Sequence, residues 1–383
     1  MPKTLNADPP GKVTPKNRIK NATPTEHGLY PHEILALDYA HTYYPSSSDF
    51  QGWWLYTHGV EDVRGVLSSL EERGFIEEDN DLYTLLEMQD GSKIREILIA
   101  NGSKVSGTRE TVLERVLEEV PEDELIRQFP EFPYRLTEVG KSALDEAPYI
   151  PYIARNALTE FDIWTVSELI NTPPYMLWWN KICDFYIEQR QKHIINRDFG
   201  LYNNCSRDFI RILKHKNMSN SILEVLAEMV FYILRGCTWN SSIPLYLNEL
   251  FPYERSCAKI SQYEIVQVTR CQEEIGYSDE ELKVFFQDHM KSIDAPDPIQ
   301  TDSLESHILL DNGIIAPVQL FSIDECVDIF FLERNKDISR LEEMYQNAEE
   351  AFKQRYPKVC ENKFLMGILS DEDVDLSSLI GEL

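Results

Sequence analysis

A chain of 383 residues is longer than one ordinary domain, so two or three are expected. Its 43% apolar residues can fill real cores and point to globular rather than disordered protein, whereas a formal charge of -28 excludes a surface that clings everywhere to polyanions. Any nucleic-acid contact must be local, and the bland reading of the acidity is a solvated surface.

In chain order, residues 1–26 read as a flexible basic tail carrying Lys3, Lys12, Lys16, Arg18 and Lys20, with no apolar signal core. Pro31 then opens a helix over His32 to Tyr44, ended by Pro45 and the serines Ser46 to Ser48. An aromatic element follows from Phe50 to Tyr56. A further helix spans Val60 to Gly74, with Val63, Val66, Leu67 and Leu70 at helical spacing, Gly74 as its stop, and Phe75 and Ile76 packing back. Leu82 to Leu85 is the candidate for the next strand. The partner phrase Tyr134-Arg-Leu-Thr-Glu-Val-Gly140 comes much later, followed by Lys141 to Leu144. The stretch from Gly59 to Ile76 resembles the recognition helix and exit of winged-helix proteins, and the late phrase resembles their wing strand and terminal helix. The resemblance implies a winged-helix-like domain over 27–86 and 130–147 with a small β-hairpin.

Between those halves, residues 87–129 form their own pattern. Lys93 to Ala100 carries Ile94, Ile97 and Leu98 on one stripe, Asn101-Gly102 stops it, and Ser106 or Thr108 caps a second helix carrying Val112, Leu113, Val116 and Leu117. The string from Ile97 to Val116, above all the Lys104 to Arg109 turn, resembles the SAP motif, a short helix-loop-helix module that typically binds DNA. The chain is similar in type to SAP-containing proteins of bacteria and their mobile elements. The resemblance implies DNA contact through a SAP-like insert.

From Ala147 the chain changes character. Pro148 and Pro151 predict an extended linker over 148–160, because each proline disfavours helix in the residue before it. Beyond it, 161–357 reads as an all-α domain with helices at Ile163 to Ile170, Tyr175 to Ile195, Cys205 to Lys214, Ser219 to Leu234, Cys257 to Ile275, Asp279 to Ile293, Ser322 to Glu333 and Ile338 to Tyr356. Residues 358–383 form an acidic tail. The fold class is therefore mainly α: a winged-helix-like N-terminal domain with an inserted SAP-like helix-loop-helix, then an all-α C-terminal domain.

Residues that suit DNA contact begin at the SAP-like turn, where free N–H groups at a helix start and the cations Lys104 and Arg109, with Thr108, can hold a phosphate. Lys93, Arg95 and Arg115 extend that surface. Arg64, Ser68 and Arg73 are the corresponding candidates on the winged-helix recognition helix, opposed by Glu61, Asp62, Glu71 and Glu72. A second positive stretch runs through Lys181, Arg190, Lys192, Arg197, Arg207, Arg211, Lys214 and Lys216, interleaved with Trp178, Trp179, Tyr186 and Tyr202. Helical spacing buries such aromatics, which favours a core with a solvated charged face over a nucleic-acid surface.

No phosphate loop, H-E-x-x-H, G-x-S-x-G or paired metal-ligand spacing occurs, so neither enzymatic activity nor a cofactor is expected. Asp198, Asp208, Glu224 and Glu228 are the remote candidates for a carboxylate metal cluster, and Cys205 or Cys237 for a nucleophile. The seven cysteines are scattered, with no C-x-x-C pair, which fits small buried side chains in a reducing cytoplasm. The apolar run Ile222 to Leu234 carries Glu224 and Glu228 and is too short to span a bilayer, so no membrane is expected. These features together predict a non-enzymatic, DNA-associated accessory or regulatory protein that recruits a protein partner through its helical domain. The alternative is an acidic interaction or inhibitor protein that competes with DNA for a nucleic-acid enzyme.

Overall fold

The computed structural model describes residues 12–156, 158–238, 245–293, 309–310, 313–314 and 317–355. It is mainly helical, with two small two-stranded sheets, and divides into the compact units Met1–Lys181 and Ile182–Leu383. No helix among the described residues is long and apolar enough to cross a membrane.

The first unit is built around α2 (Pro31–Tyr39), which packs on α4 (Val63–Glu72), α9 (Glu138–Glu146), α10 (Tyr149–Asn156) and α11 (Ile163–Ile170). Pro31 stands at the first position of α2, where its missing N–H costs nothing, and Ile34, Leu35 and Leu37 are buried. Asp62 caps α4 by accepting the Gly65 N–H at 2.8 Å, and Gly74, at φ 78°, ends it. The chain turns at once into β1 (Ile76–Glu78), which pairs antiparallel with β2 (Tyr134–Leu136) in the register Ile76 to Leu136 and Glu78 to Tyr134. A Cβ at Gly140 would lie 2.0 Å from the Phe75 carbonyl oxygen, so the start of α9 presses directly on the backbone leaving α4. Short helices α1 (Asn17–Asn21) and α3 (Trp53–Tyr56) complete the frame, and Trp54 donates its indole N–H to the Tyr43 hydroxyl at 2.8 Å.

Residues 80–132 leave and re-enter this frame through one neck, where the Asp79 N–H meets the Pro133 carbonyl at 2.8 Å and the Phe132 N–H meets Glu78 Oε1 at 3.1 Å. Within the loop lie α5 (Leu82–Glu87), α6 (Gly91–Ala100), α7 (Arg109–Glu119) and α8 (Glu122–Gln128). They share a core of their own: Leu86, Ile94, Ile97, Leu98, Val112, Leu113, Val116, Val120 and Leu125. Each helix is too short to be stable alone, so this shared burial is what holds it.

In the second unit α14 (Ser219–Ile233) is the central helix, packed by α13 (Phe199–His215), α16 (Gln262–Ile275), α17 (Asp279–Ile293) and α18 (Ile323–Asn335). Helices α12 (Trp178–Ile195, whose first residues belong to the first unit), α15 (Leu247–Leu250) and α19 (Ile338–Arg355) complete the set. The backbone of β3 (Leu309–Leu310) pairs antiparallel with β4 (Gly313–Ile314). Asp279–Ile293 and Ile163–Ile170 lie where the hydrophobic period predicted them.

Three expectations are corrected. The flexible tail read over residues 1–26 is fastened from residue 12 on: Val13 is buried and bridges Val60, Lys12 pairs with Glu61, and Arg18 faces Asp162 at 3.9 Å, so one buried apolar side chain among basic residues anchors the segment. The supposed strand at Leu82 to Leu85 is helical, because Asp81 caps it by accepting the Thr84 N–H at 2.9 Å, and the strand lies earlier, at Ile76–Glu78. The linker at 148–160 contains α10: Pro151 falls in the first turn, where an N–H has no helical acceptor, and burial of Tyr149, Ile150 and Ile153 overrides the bias before proline. The acidic tail 358–383 lies outside the described residues.

Candidate nucleic-acid interface

The turn between α6 and α7 is braced from every side. Ser103 returns its N–H to the Leu98 carbonyl at 2.8 Å, Gly102 takes φ 75°, and Asn101 Nδ2 donates to the Glu119 carbonyl at 2.8 Å. Arg115 reaches back from α7 to donate to the carbonyls of Lys104 and Ser106, the latter at 3.1 Å. Arg109 donates to the carbonyls of Glu87 and Gln89, the latter at 2.8 Å, and so closes the C-terminus of α5 where a cation is favoured. Thr108 caps α7, its hydroxyl accepting the Thr111 N–H at 3.4 Å. Of the insert's expected phosphate ligands, Arg109 and Arg115 thus act first as internal struts. Lys93, Arg95 and Lys104 remain exposed, with no carboxylate partner among the described residues.

Of the acids the sequence sets among these cations, Glu110 lies at the mouth of α7. The Glu110 carboxylate is held below its usual range by its own backbone N–H and then by the Thr108 hydroxyl. That carboxylate occupies the first N–H of α7, the donor a phosphate at this helix start would need. Glu110, Glu114 and Glu118, all exposed and four residues apart, continue as an acidic stripe along α7.

The recognition-helix candidates are dispersed by the fold. Arg64 donates to the Ser46 carbonyl at 2.9 Å and to Ser47, fastening the loop after α2. Arg73 pairs with Glu33, a fully buried carboxylate, and lies over the Phe75 ring at 5.3 Å. Burial raises Glu33 above the carboxylate range, and the Arg73 guanidinium partly offsets this. Ser68 is exposed on α4. Arg64 and Arg73 hold the frame, and no sequence rule distinguishes an arginine that braces a carbonyl from one that faces solvent.

The second positive stretch separates by burial. Tyr186 and Tyr202 are fully buried, and Arg190 lies beneath the surface, paired with Glu228 at 3.0 Å and donating to Ser206 at 3.0 Å. Lys181 spends its ammonium on the carbonyls of Thr172 and Pro174, the latter at 3.3 Å. Arg207, Arg211 and Lys214 keep an outward face. Among the described residues Asp198, Asp208, Glu224 and Glu228 do not gather as metal ligands: Glu228 is committed to Arg190, and Asp208 to Arg211 at 3.1 Å. Cys205 and Cys237 are buried thiols, and burial pushes Cys237 well above the ordinary thiol range, the opposite of nucleophile activation.

In comparisons with known proteins, no family model, no curated protein and no solved structure matches this chain.

Proposed function

We propose that this chain is a DNA-associated, non-enzymatic accessory or regulatory protein that touches DNA through the α6–α7 helix pair and recruits a protein partner through its helical second unit. The observation that carries the reading is the braced α6–α7 turn with exposed Lys104 in the segment leading into α7 and exposed Lys93 and Arg95 on α6, none of the three with a carboxylate partner among the described residues. A preformed turn spends little entropy on binding, and each cation neutralises at most one phosphate. The frame supports the same reading: α4 followed by the β1–β2 pair and α9 resembles the order of a winged helix, and the α6–α7 pair with its Lys104 to Arg109 turn resembles a SAP module. In this reading Arg109, Arg115 and Thr108 shape the turn, while Arg64 and Arg73 belong to the scaffold.

A salt titration of duplex binding tests it. Binding that weakens steeply with salt is expected, and Lys93→Ala with Lys104→Ala lowers the slope of log affinity against log salt by about 1.8, roughly 0.9 per lost phosphate. No binding at low salt removes the proposal.

The acidic stripe Glu110, Glu114 and Glu118 favours a second reading, in which the chain presents negative charge to a basic nucleic-acid enzyme. That reading expects the chain to displace DNA from such an enzyme, and neutralising the stripe to abolish the displacement.

A further inference from the structure

The seam between α13 and α16 carries cations of unusual construction for so acidic a chain. Arg207, Arg211 and Lys214 lie on one face of α13, about 6 Å and then about 4.5 Å apart along its axis. Opposite them, Tyr263, Gln267 and Arg270 share one face of α16 at the same spacing. Arg207 pairs with Glu264 at 3.1 Å and lies over the Tyr263 ring at 5.4 Å, and Lys214 donates to Gln267.

The placement of the carboxylates makes this more than a mixed surface. Glu264 and Asp208 are buried, with side-chain exposures of 0% and 4%, whereas their partners Arg207 and Arg211 are 41% and 53% exposed. The acids sit underneath and orient each guanidinium, which has five N–H donors and spends only part of them inward. Glu274, paired with Arg270 at 2.9 Å and accepting the Ser219 hydroxyl at 2.7 Å, is the exposed carboxylate facing this group. Lys214 is lowered below the usual lysine range, first by burial and then by the neighbouring Arg270 charge, so the cations crowd one another. An anion seated between them relieves that repulsion.

We propose that this seam is a nucleic-acid contact surface of the second unit, gripping the phosphate backbone of a single strand through Arg207, Arg211, Lys214 and Arg270. A guanidinium stacked on a tyrosine ring within a row of cations suits a strand that offers both charge and π-faces, and favours nucleic acid over an acidic peptide. The site is independent of the α6–α7 turn and stands whether or not that turn binds duplex.

The test measures binding of a labelled 20-nucleotide oligothymidylate to the full chain across a salt series. Lys214→Gln with Arg270→Gln leaves both buried carboxylate pairs intact and lowers the salt slope by about 1.4, roughly 0.7 per phosphate for a single strand. Glu274→Gln removes the opposing carboxylate and tightens binding at low salt about threefold or more, a gain that misfolding cannot imitate. Lys93→Ala with Lys104→Ala leaves the seam-dependent part of the slope in place. Three results overturn the proposal: no binding of the wild-type chain at low salt, a slope untouched by the Lys214 and Arg270 substitutions, or displacement of the oligonucleotide by polyglutamate at equal charge concentration.

Discussion

His58 shows how one side chain ties the first unit to pH. Its ring is buried against Trp53 and Trp54, its Nδ1 has no hydrogen-bond partner among the described residues, and its backbone carbonyl accepts the Trp164 indole N–H at 2.9 Å. Burial lowers its pKa to about 4, Asp162 opposes that shift, and Arg18 adds to it. A histidine depressed below its unfolded value of about 6.5 stabilises the fold as the neutral ring. That contribution is complete above about pH 6.5 and is lost as pH falls through the window down to about 4, on the order of 3 kcal/mol. His58→Phe is therefore expected to flatten the decline in urea-unfolding free energy between those pH values, and parallel profiles for wild type and variant would contradict the assignment. A tryptophan-flanked histidine was visible in the sequence as Trp53-Trp54…His58, but its surroundings were not, because Trp164 and the charges of Arg18 and Asp162 come from distant segments.

At the scale of elements, the inserted helices behave as a module because their apolar residues meet one another. Leu98, fully buried in that core, touches the seam between α6 and α7 at the turn, where Ser103 bonds back to its carbonyl. Leu98→Ala is expected to cost about 3 kcal/mol. The loss falls on the module: amide exchange rises across 91–119 while β1 and β2 keep their protection, and equal loosening of both regions would show that the insert has no core of its own. The helical periods of α4, α6, α7, α11 and α17 made these elements legible from Val63, Ile94, Val112, Ile163 and Leu282 onward. Elements held by tertiary contact were not. Helix α10 carries two prolines in its approach and first turn and forms because Ile150 and Ile153 are buried, and β1 is three residues long and is defined only by Tyr134–Leu136, more than fifty positions away.

At the scale of the whole molecule, a net charge of -28 sets the condition that every polyanion contact must satisfy. Cations can serve such a contact where the fold removes or buries nearby carboxylates; among the described residues the α6–α7 pair leaves Lys93, Arg95 and Lys104 without a carboxylate partner, and the α13–α16 seam buries Glu264 and Asp208. At the turn one carboxylate still competes. Glu110→Gln is expected to strengthen duplex binding about threefold or more at low salt by removing the negative charge at the start of α7, with the gain fading as salt screens it. Unchanged or weaker binding would mean that the phosphate does not sit at that helix start. The candidate residues were legible as a class, since the Lys104 to Arg109 turn stands out among acids. Their division of labour was not, because Arg109 and Arg115 point their donors at backbone carbonyls that come together only in the folded insert.

In the proposed contact, Lys93 on α6, Lys104 in the turn and the backbone amides that open α7 receive DNA phosphates. Hydrogen–deuterium exchange of the full chain with and without a duplex, read peptide by peptide at low salt, tests it most directly. Added protection confined to residues 101–111 and the Lys93 end of α6, lost in the Lys93→Ala, Lys104→Ala variant, is the predicted result; a duplex that binds while leaving 101–111 unprotected would contradict it.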